Sequence, residues 1–177
     1  MSDRTLTITA GVDQAIRRHG QDTYPHECCG ALVGRRGHVT ATVTLPNTTE
    51  DGPRRRFLVR PSDYQLAERR AIELGGELLG FYHSHPDHPA RPSQYDLDHA
   101  WPTFAYIIVA VVGDALDGRR ADPSRQSAAG ATAEGAKAAA ATEITVWYLK
   151  DDRSSFDEGT LHHGENSHTD TTSALHG

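Results

Sequence analysis

The stretch Gly80–Asp96 leaves this chain few ways to fold. His83 and His85 stand two apart, behind the apolar and aromatic lead of Gly80, Phe81 and Tyr82. An extended strand turns residues i and i+2 to one face, so both imidazoles can converge on one ion. Downstream, Ser93-Gln94-Tyr95-Asp96 reads as the opening of a helix, with Ser93 as N-cap and Asp96 as its partner three residues on. Two histidines and one carboxylate suit a zinc ion with an open fourth position, the catalytic rather than the structural arrangement. A strand and the helix after it must therefore deliver their side chains to one point.

The neighbouring segments supply a frame for that strand. Leu6 and Ile8 alternate with threonines in a short extended start, and Val12, Ala15 and Ile16 recur at helical spacing up to about Gly20. Cys29 to Gly34 is small, apolar and bounded by glycines, which suits a buried strand. Arg35-Arg36-Gly37 then predicts a hairpin turn into His38 to Leu45. Phe57-Leu58-Val59 reads as a short strand, and Pro61-Ser62-Asp63 opens a helix for which Ser62 is the expected N-cap. Phe104 to Val112 is the most hydrophobic strand of the chain, Thr142 to Leu149 another, and Ser155-Phe156 the start of one more. Strands alternating with helices around apolar β segments predict an α/β (α+β) domain with a central mixed sheet. The expected domain covers residues 1–159. Within it, residues 113–141 are Ala-rich with few large apolar side chains and read as a disordered insertion; residues 160–177 read as a disordered polar tail, its histidines included.

Composition removes several function classes. The net charge is −6 with no long basic block, which argues against nucleic acid as the main partner. No apolar run approaches the length of a membrane span, and the first residues lack the basic start and apolar stretch of a signal peptide. The two cysteines, Cys28 and Cys29, are adjacent and cannot bridge within one strand, so a reducing cytoplasm is expected.

Metal-assisted hydrolysis needs a general base that is not itself a ligand. Glu27 is the candidate, a carboxylate at the entry of the first buried strand. Ser93, beside Asp96, can offer a hydroxyl to a developing oxyanion. Glu27, His83-Ser84-His85-Pro86 and Ser93-Gln94-Tyr95-Asp96 together resemble the JAMM (MPN-plus) motif of zinc isopeptidases. The context of Pro25, Glu27-Cys28-Cys29-Gly30 and Gly80-Phe81-Tyr82 is similar too, and the compact form looks like the bacterial single-domain branch. The resemblance implies an MPN fold of cytidine-deaminase-like architecture. It implies that His83, His85 and Asp96 ligate one zinc ion. Glu27 would take a proton from the attacking water and deliver it to the leaving amine, and Ser93 would hydrogen-bond the oxyanion. The implied substrate is a peptide or isopeptide bond after the Gly-Gly tail of a small ubiquitin-like or sulfur-carrier protein, with release of cysteine from a carrier–cysteine adduct as one form. A homodimer is left open. His88 and His99 are further candidates for touching substrate or supporting the ligands.

Two rival readings compete with this one. His83, His85, Asp87 and His88 also spell the H-x-H-x-D-H of metallo-β-lactamase-fold hydrolases. That fold needs another histidine at the end of a later strand; after His99 the next is His162, in the polar tail. The second rival is a non-catalytic scaffold of the same fold that only binds a ubiquitin-like partner. Such proteins lack one or more of the five motif residues, all of which are present here.

Overall fold

The computed structural model describes residues 4–47, 59–113 and 139–164. In chain order the elements are β1 (Thr5–Thr9), α1 (Ala10–Thr23), β2 (Cys29–Arg35), β3 (His38–Leu45), α2 (Pro61–Glu73), β4 (Glu77–Pro86), α3 (Gln94–His99), β5 (Ala105–Gly113), β6 (Ala139–Leu149), β7 (Phe156–Glu158) and β8 (Thr160–Gly164). All eight strands share one mixed sheet in the order β7-β6-β5-β4-β2-β3-β1-β8. The histidine strand β4 lies in its interior, antiparallel to β2 and parallel to β5. A central strand is covered on both faces, which explains the unbroken burial of Gly80–Pro86.

The sheet separates two apolar layers. On one face Leu32, Tyr82, Ile107 and Val109 pack with Val12 and Ile16 of α1. On the other, Ala31, Phe81 and Tyr106 pack with Ala67 of α2 and Ala100 after α3. Phe81, His83 and His85 are two apart in β4, so period 2 sends both histidines to the α2–α3 side. Tyr82 and Ser84 face α1. Gly30 is required by this packing, because a Cβ there would collide with the Tyr82 ring. The β2–β3 turn is tight, with Arg36 and Gly37 both at positive φ (51° and 76°), the type I′ geometry that suits the twist of a hairpin.

Four expectations change. Ser62 is not the N-cap of α2: Arg60 holds that position and Pro61 begins the helix, where a missing N–H costs nothing. The Asp63 carboxylate accepts from the Arg60 backbone N–H (3.3 Å) and from its guanidinium (2.9 and 3.1 Å). Helix α1 continues past Gly20 to Thr23. The polar tail does not start at residue 160. Thr160–Gly164 forms β8 and pairs in parallel with all of β1, which places His162 and His163 in the sheet. The Gly159 N–H donates to Val146 O (2.8 Å) and the Thr160 N–H to Arg4 O (3.0 Å). The chain thus passes from one sheet edge to the other and curls the sheet around α1. The expected insertion is narrower than 113–141, because Gly113 ends β5 and 139–141 open β6; its residues 114–138, the expected strand at Phe57-Leu58, and His168 and His176 lie outside the described residues.

Candidate metal centre

The site is built where β2, β4 and α3 meet. Cys29 of β2 pairs with His83 of β4, so two residues earlier Glu27 falls opposite His85, on the same face. Side chains of β4 and of the start of α3 then converge. The His83 and His85 Nε2 atoms are 3.1 Å apart. Asp96 Oδ1 lies 3.3 Å from His83 Nε2, and Oδ2 lies 3.6 Å from His85 Nε2. One ligand atom from each of the three lies within 4.8 Å of the others. His83 and His85 are buried, at 1% and 8% exposure.

The donor set fits a cation. The His85 Nδ1 lies 2.9 Å from Pro89 O, a carbonyl that can only accept, so in the neutral ring Nδ1 carries the hydrogen and Nε2 keeps its lone pair. That lone pair, the facing His83 nitrogen and the Asp96 carboxylate point at one another, an arrangement that a metal ion would satisfy. Burial alone would raise the Asp96 pKa. The facing His83 imidazole and hydrogen bonds from His83, His85 and Ser93 outweigh it and hold the carboxyl well below the usual range. Burial pushes the His83 pKa down, against the pull of Asp96. For His85 burial acts in the same downward sense, but hydrogen bonds to Asp96 and Pro89 O prevail and raise it.

Ser93 and Asp96 form a reciprocal cap on α3. The Asp96 N–H donates to Ser93 Oγ (3.2 Å), while the Ser93 N–H and hydroxyl donate to Asp96 Oδ2 (2.6 and 2.7 Å). The cap that stops helix fraying therefore also aims the carboxylate. Ser93 remains exposed at the lip of the site.

A cleft of about 400 Å³ opens over this centre, lined by Glu27, His85, His88, Arg91, Ser93 and Asp96, with Pro89 and Pro92. Glu27 is buried at 6% exposure. Desolvation lifts its pKa from the ordinary 4.5 to about 7; His85 opposes the rise and Asp96 adds to it. Of the two remaining candidates, His88 lines the cleft, whereas His99 lies behind the centre in a small cavity with His83, Trp101 and Tyr106. His99 stacks on Tyr95 (ring centroids 4.1 Å) and its Nδ1 lies 2.9 Å from Tyr95 O. Both cysteines are buried, and burial pushes the Cys28 thiol up to about 11 and Cys29 upward as well, so neither supplies a thiolate near neutral pH.

Three supports of the site lie outside the five motif residues. The Ser84 hydroxyl accepts the Cys28 N–H (2.8 Å) and the Ser84 N–H donates to Cys28 O (3.1 Å), which ties the entry of β2 to β4 beside Glu27. A signal for Ser84 was present: the middle residue of an H-x-H strand must face the opposite layer, and a buried hydroxyl needs a partner. The Asn47 Nδ2 donates to Glu27 O (2.9 Å). Arg91 provides the one guanidinium among the described lining residues. No local pattern marks the last two.

A family model described as prokaryotic homologs of the JAB domain matches residues 9–147. The chain is similar to the desampylase of Haloferax volcanii, at 31% identity over 120 residues, which cover 64% of this chain and 86% of that protein. It is similar to a probable TtuB-protein conjugate cleaving protease of Thermus thermophilus, at 32% identity over 108 residues, 61% of this chain and 72% of that protein. Among solved structures, a protein from Desulfitobacterium hafniense superimposes with a TM-score of 0.65 at 25% identity, covering 91% of this chain and 94% of the other. A protein from Salinibacter ruber does so with a TM-score of 0.60 at 32% identity, covering 97% of each.

Proposed function

The chain belongs to the family of prokaryotic JAB-domain homologs, and from that premise we propose that it is a JAMM-type zinc metallopeptidase that cleaves conjugates of a small ubiquitin-like protein. The observation that carries the reading is the convergence of His83, His85 and Asp96 under a cleft that Glu27 also lines. His83, His85 and Asp96 would hold the ion. When bound, zinc would supply Lewis acidity and an acidified water.

The chain's own residues do the rest. The Glu27 carboxylate accepts the proton of the attacking water and returns it to the leaving amine. Glu27 lines the cleft beside the centre, so one carboxyl group can serve both transfers within a turnover. The Asn47 and Ser84 hydrogen bonds fix the backbone around Glu27, so the carboxylate is aimed before substrate arrives. The Ser93 hydroxyl, at the cleft lip, turns from Asp96 to the carbonyl oxygen as that oxygen gains charge. Two relatives support the substrate class, one named desampylase and one named for cleaving protein conjugates.

The finer reading is a sulfur-carrier protein whose C-terminal Gly-Gly enters the cleft, with cysteine as one leaving amine. Arg91 supports it. Released cysteine carries an α-carboxylate, and a guanidinium binds a carboxylate with two parallel hydrogen bonds; the lining residues Glu27 and Asp96 would otherwise repel that charge. A lysine side chain within a folded target brings no such group to the cleft.

The test uses two adducts of one carrier, Gly-Gly-cysteine and Gly-Gly joined to a lysine side chain, with and without chelator. Cleavage that is lost on chelation and in Glu27→Gln is expected. Cleavage that survives either sinks the mechanism, and carrier binding with no cleavage of any adduct identifies a scaffold instead.

A further inference from the structure

The loop between β4 and α3 crosses over β5 and is gripped by β6, far along the chain. In the sheet, three rows run across β4, β5 and β6: His85–Ala110–Glu143, His83–Ile108–Thr145 and Phe81–Tyr106–Trp147. Paired residues share a face, so Glu143, Thr145 and Trp147 stand on the same side as the two histidines. Ala90 is fully buried over Ile108 and Ala110, with Trp147 against it. Its backbone meets all three β6 side chains. Ala90 O accepts from the Thr145 hydroxyl (2.6 Å) and from the Trp147 indole N–H (3.2 Å). That indole N–H also reaches Thr145 Oγ1 (2.8 Å). The Ala90 N–H donates to Glu143 Oε2 (3.3 Å). One residue earlier, Pro89 O takes the His85 Nδ1–H.

We propose that Glu143, Thr145 and Trp147 are positioning residues for His85, acting through the Ala90 and Pro89 backbone; the inference rests on His85 being a metal ligand. The neutral imidazole can place its hydrogen on either nitrogen. An acceptor held at Nδ1 keeps the hydrogen there and directs the Nε2 lone pair to the ion. Pro89 cannot anchor itself, because it has no N–H. Its carbonyl also accepts the Arg91 N–H (2.8 Å) across a turn centred on Ala90, and Ala90 is held by β6. The small side chain of Ala110, in a strand otherwise rich in Ile and Val, leaves the space in which Ala90 sits.

The test compares zinc affinity, measured by competition with a chromogenic chelator, in the full-length protein. The double variant Thr145→Val/Trp147→Phe keeps side-chain bulk but removes both donors to Ala90 O. It is expected to bind zinc about tenfold or more weakly, while Thr145→Ser, which keeps the hydroxyl, binds as wild type does. In chelated protein at alkaline pH, the ring nitrogen chemical shifts of His85 are expected to move from a single Nδ1–H form to a mixture in the double variant. Ile144→Ala, on the other face of β6, is the control for lost stability and should lower the melting temperature without moving zinc affinity. The inference is overturned if the double variant binds zinc like wild type and keeps the Nδ1–H form, or if Ile144→Ala weakens zinc binding equally. Wild-type protein that binds no zinc would instead bring down the metallopeptidase reading itself.

Discussion

Replacing Glu27 by Gln should remove activity and, in the metal-free protein, add stability at neutral to alkaline pH. Desolvation holds the Glu27 pKa near 7 in the fold against an ordinary 4.5. Between those values the folded protein keeps a proton that the unfolded chain has released. Stability from this group is therefore fully present below the unfolded value and is lost as pH rises towards and through 7. At about 1.4 kcal/mol per unit of pKa difference, the loss between pH 5 and pH 8 is on the order of 2–3 kcal/mol for wild type. Gln has no proton to lose, so Glu27→Gln should gain that amount relative to wild type between the two pH values. The charges of His85 and Asp96 are already included in the Glu27 shift. The assay is urea unfolding of chelated protein at pH 5 and pH 8, with equal denaturant slopes as the check on two-state behaviour. With zinc restored, turnover of the conjugate should fall by about 10²–10⁴, the range for loss of a general base. A wild-type-minus-variant stability difference that does not change with pH would refute the reasoning, because Glu27 would then be an ordinary solvated carboxylate.

Three further outcomes follow from the same geometry. Ser93→Ala removes the hydroxyl that accepts the Asp96 N–H and donates to its carboxylate; it should cost about 1 kcal/mol of stability as a lost cap and lower kcat beyond its effect on zinc affinity. A fall in melting temperature with kcat unchanged would leave Ser93 as a cap alone. Gly30→Ala drives a methyl into the fully buried Tyr82 ring and should destabilise by about 1–3 kcal/mol, read by urea unfolding; a neutral result would mean that the strand yields there. Arg91→Ala should raise KM for the cysteine adduct by about tenfold, the worth of one charge-assisted pair, and leave the lysine-linked adduct unchanged. Equal effects on both would remove the proposed carboxylate contact.

Much of the site was legible because its logic is local. H-x-H needs only period 2 to turn both rings to one face, and Ser93 with Asp96 needs only one turn of helix to make a reciprocal cap. The run Phe104–Val112 declared a buried strand by length and apolarity, and it is β5. The α2 cap was misplaced because Pro61 and Ser62 are both good openings and only the backbone path decides between them. β8 was missed because Thr160-Leu161-His162-His163-Gly164 carries almost no apolar signal of its own. It forms a strand because β1 offers an unpaired edge and Gly159 lets the chain cross to it closely, next to Arg4 and Tyr148.

Sequence alone determined which residue types could bind a metal, their spacing on strand and helix, and the presence of a carboxylate suited to act as base. Tertiary structure decided what those residues experience. Glu27 comes opposite His85 only through the β2–β4 register, and its raised pKa comes from burial that no local pattern encodes. The His85 tautomer depends on Pro89 O, and the loop bearing it on β6 side chains 53–57 positions away from Ala90. Spacing along the chain sets direction, which is a local property. Dielectric surroundings and anchoring are set by whichever strands become neighbours, and that is settled only when the sheet closes around its core.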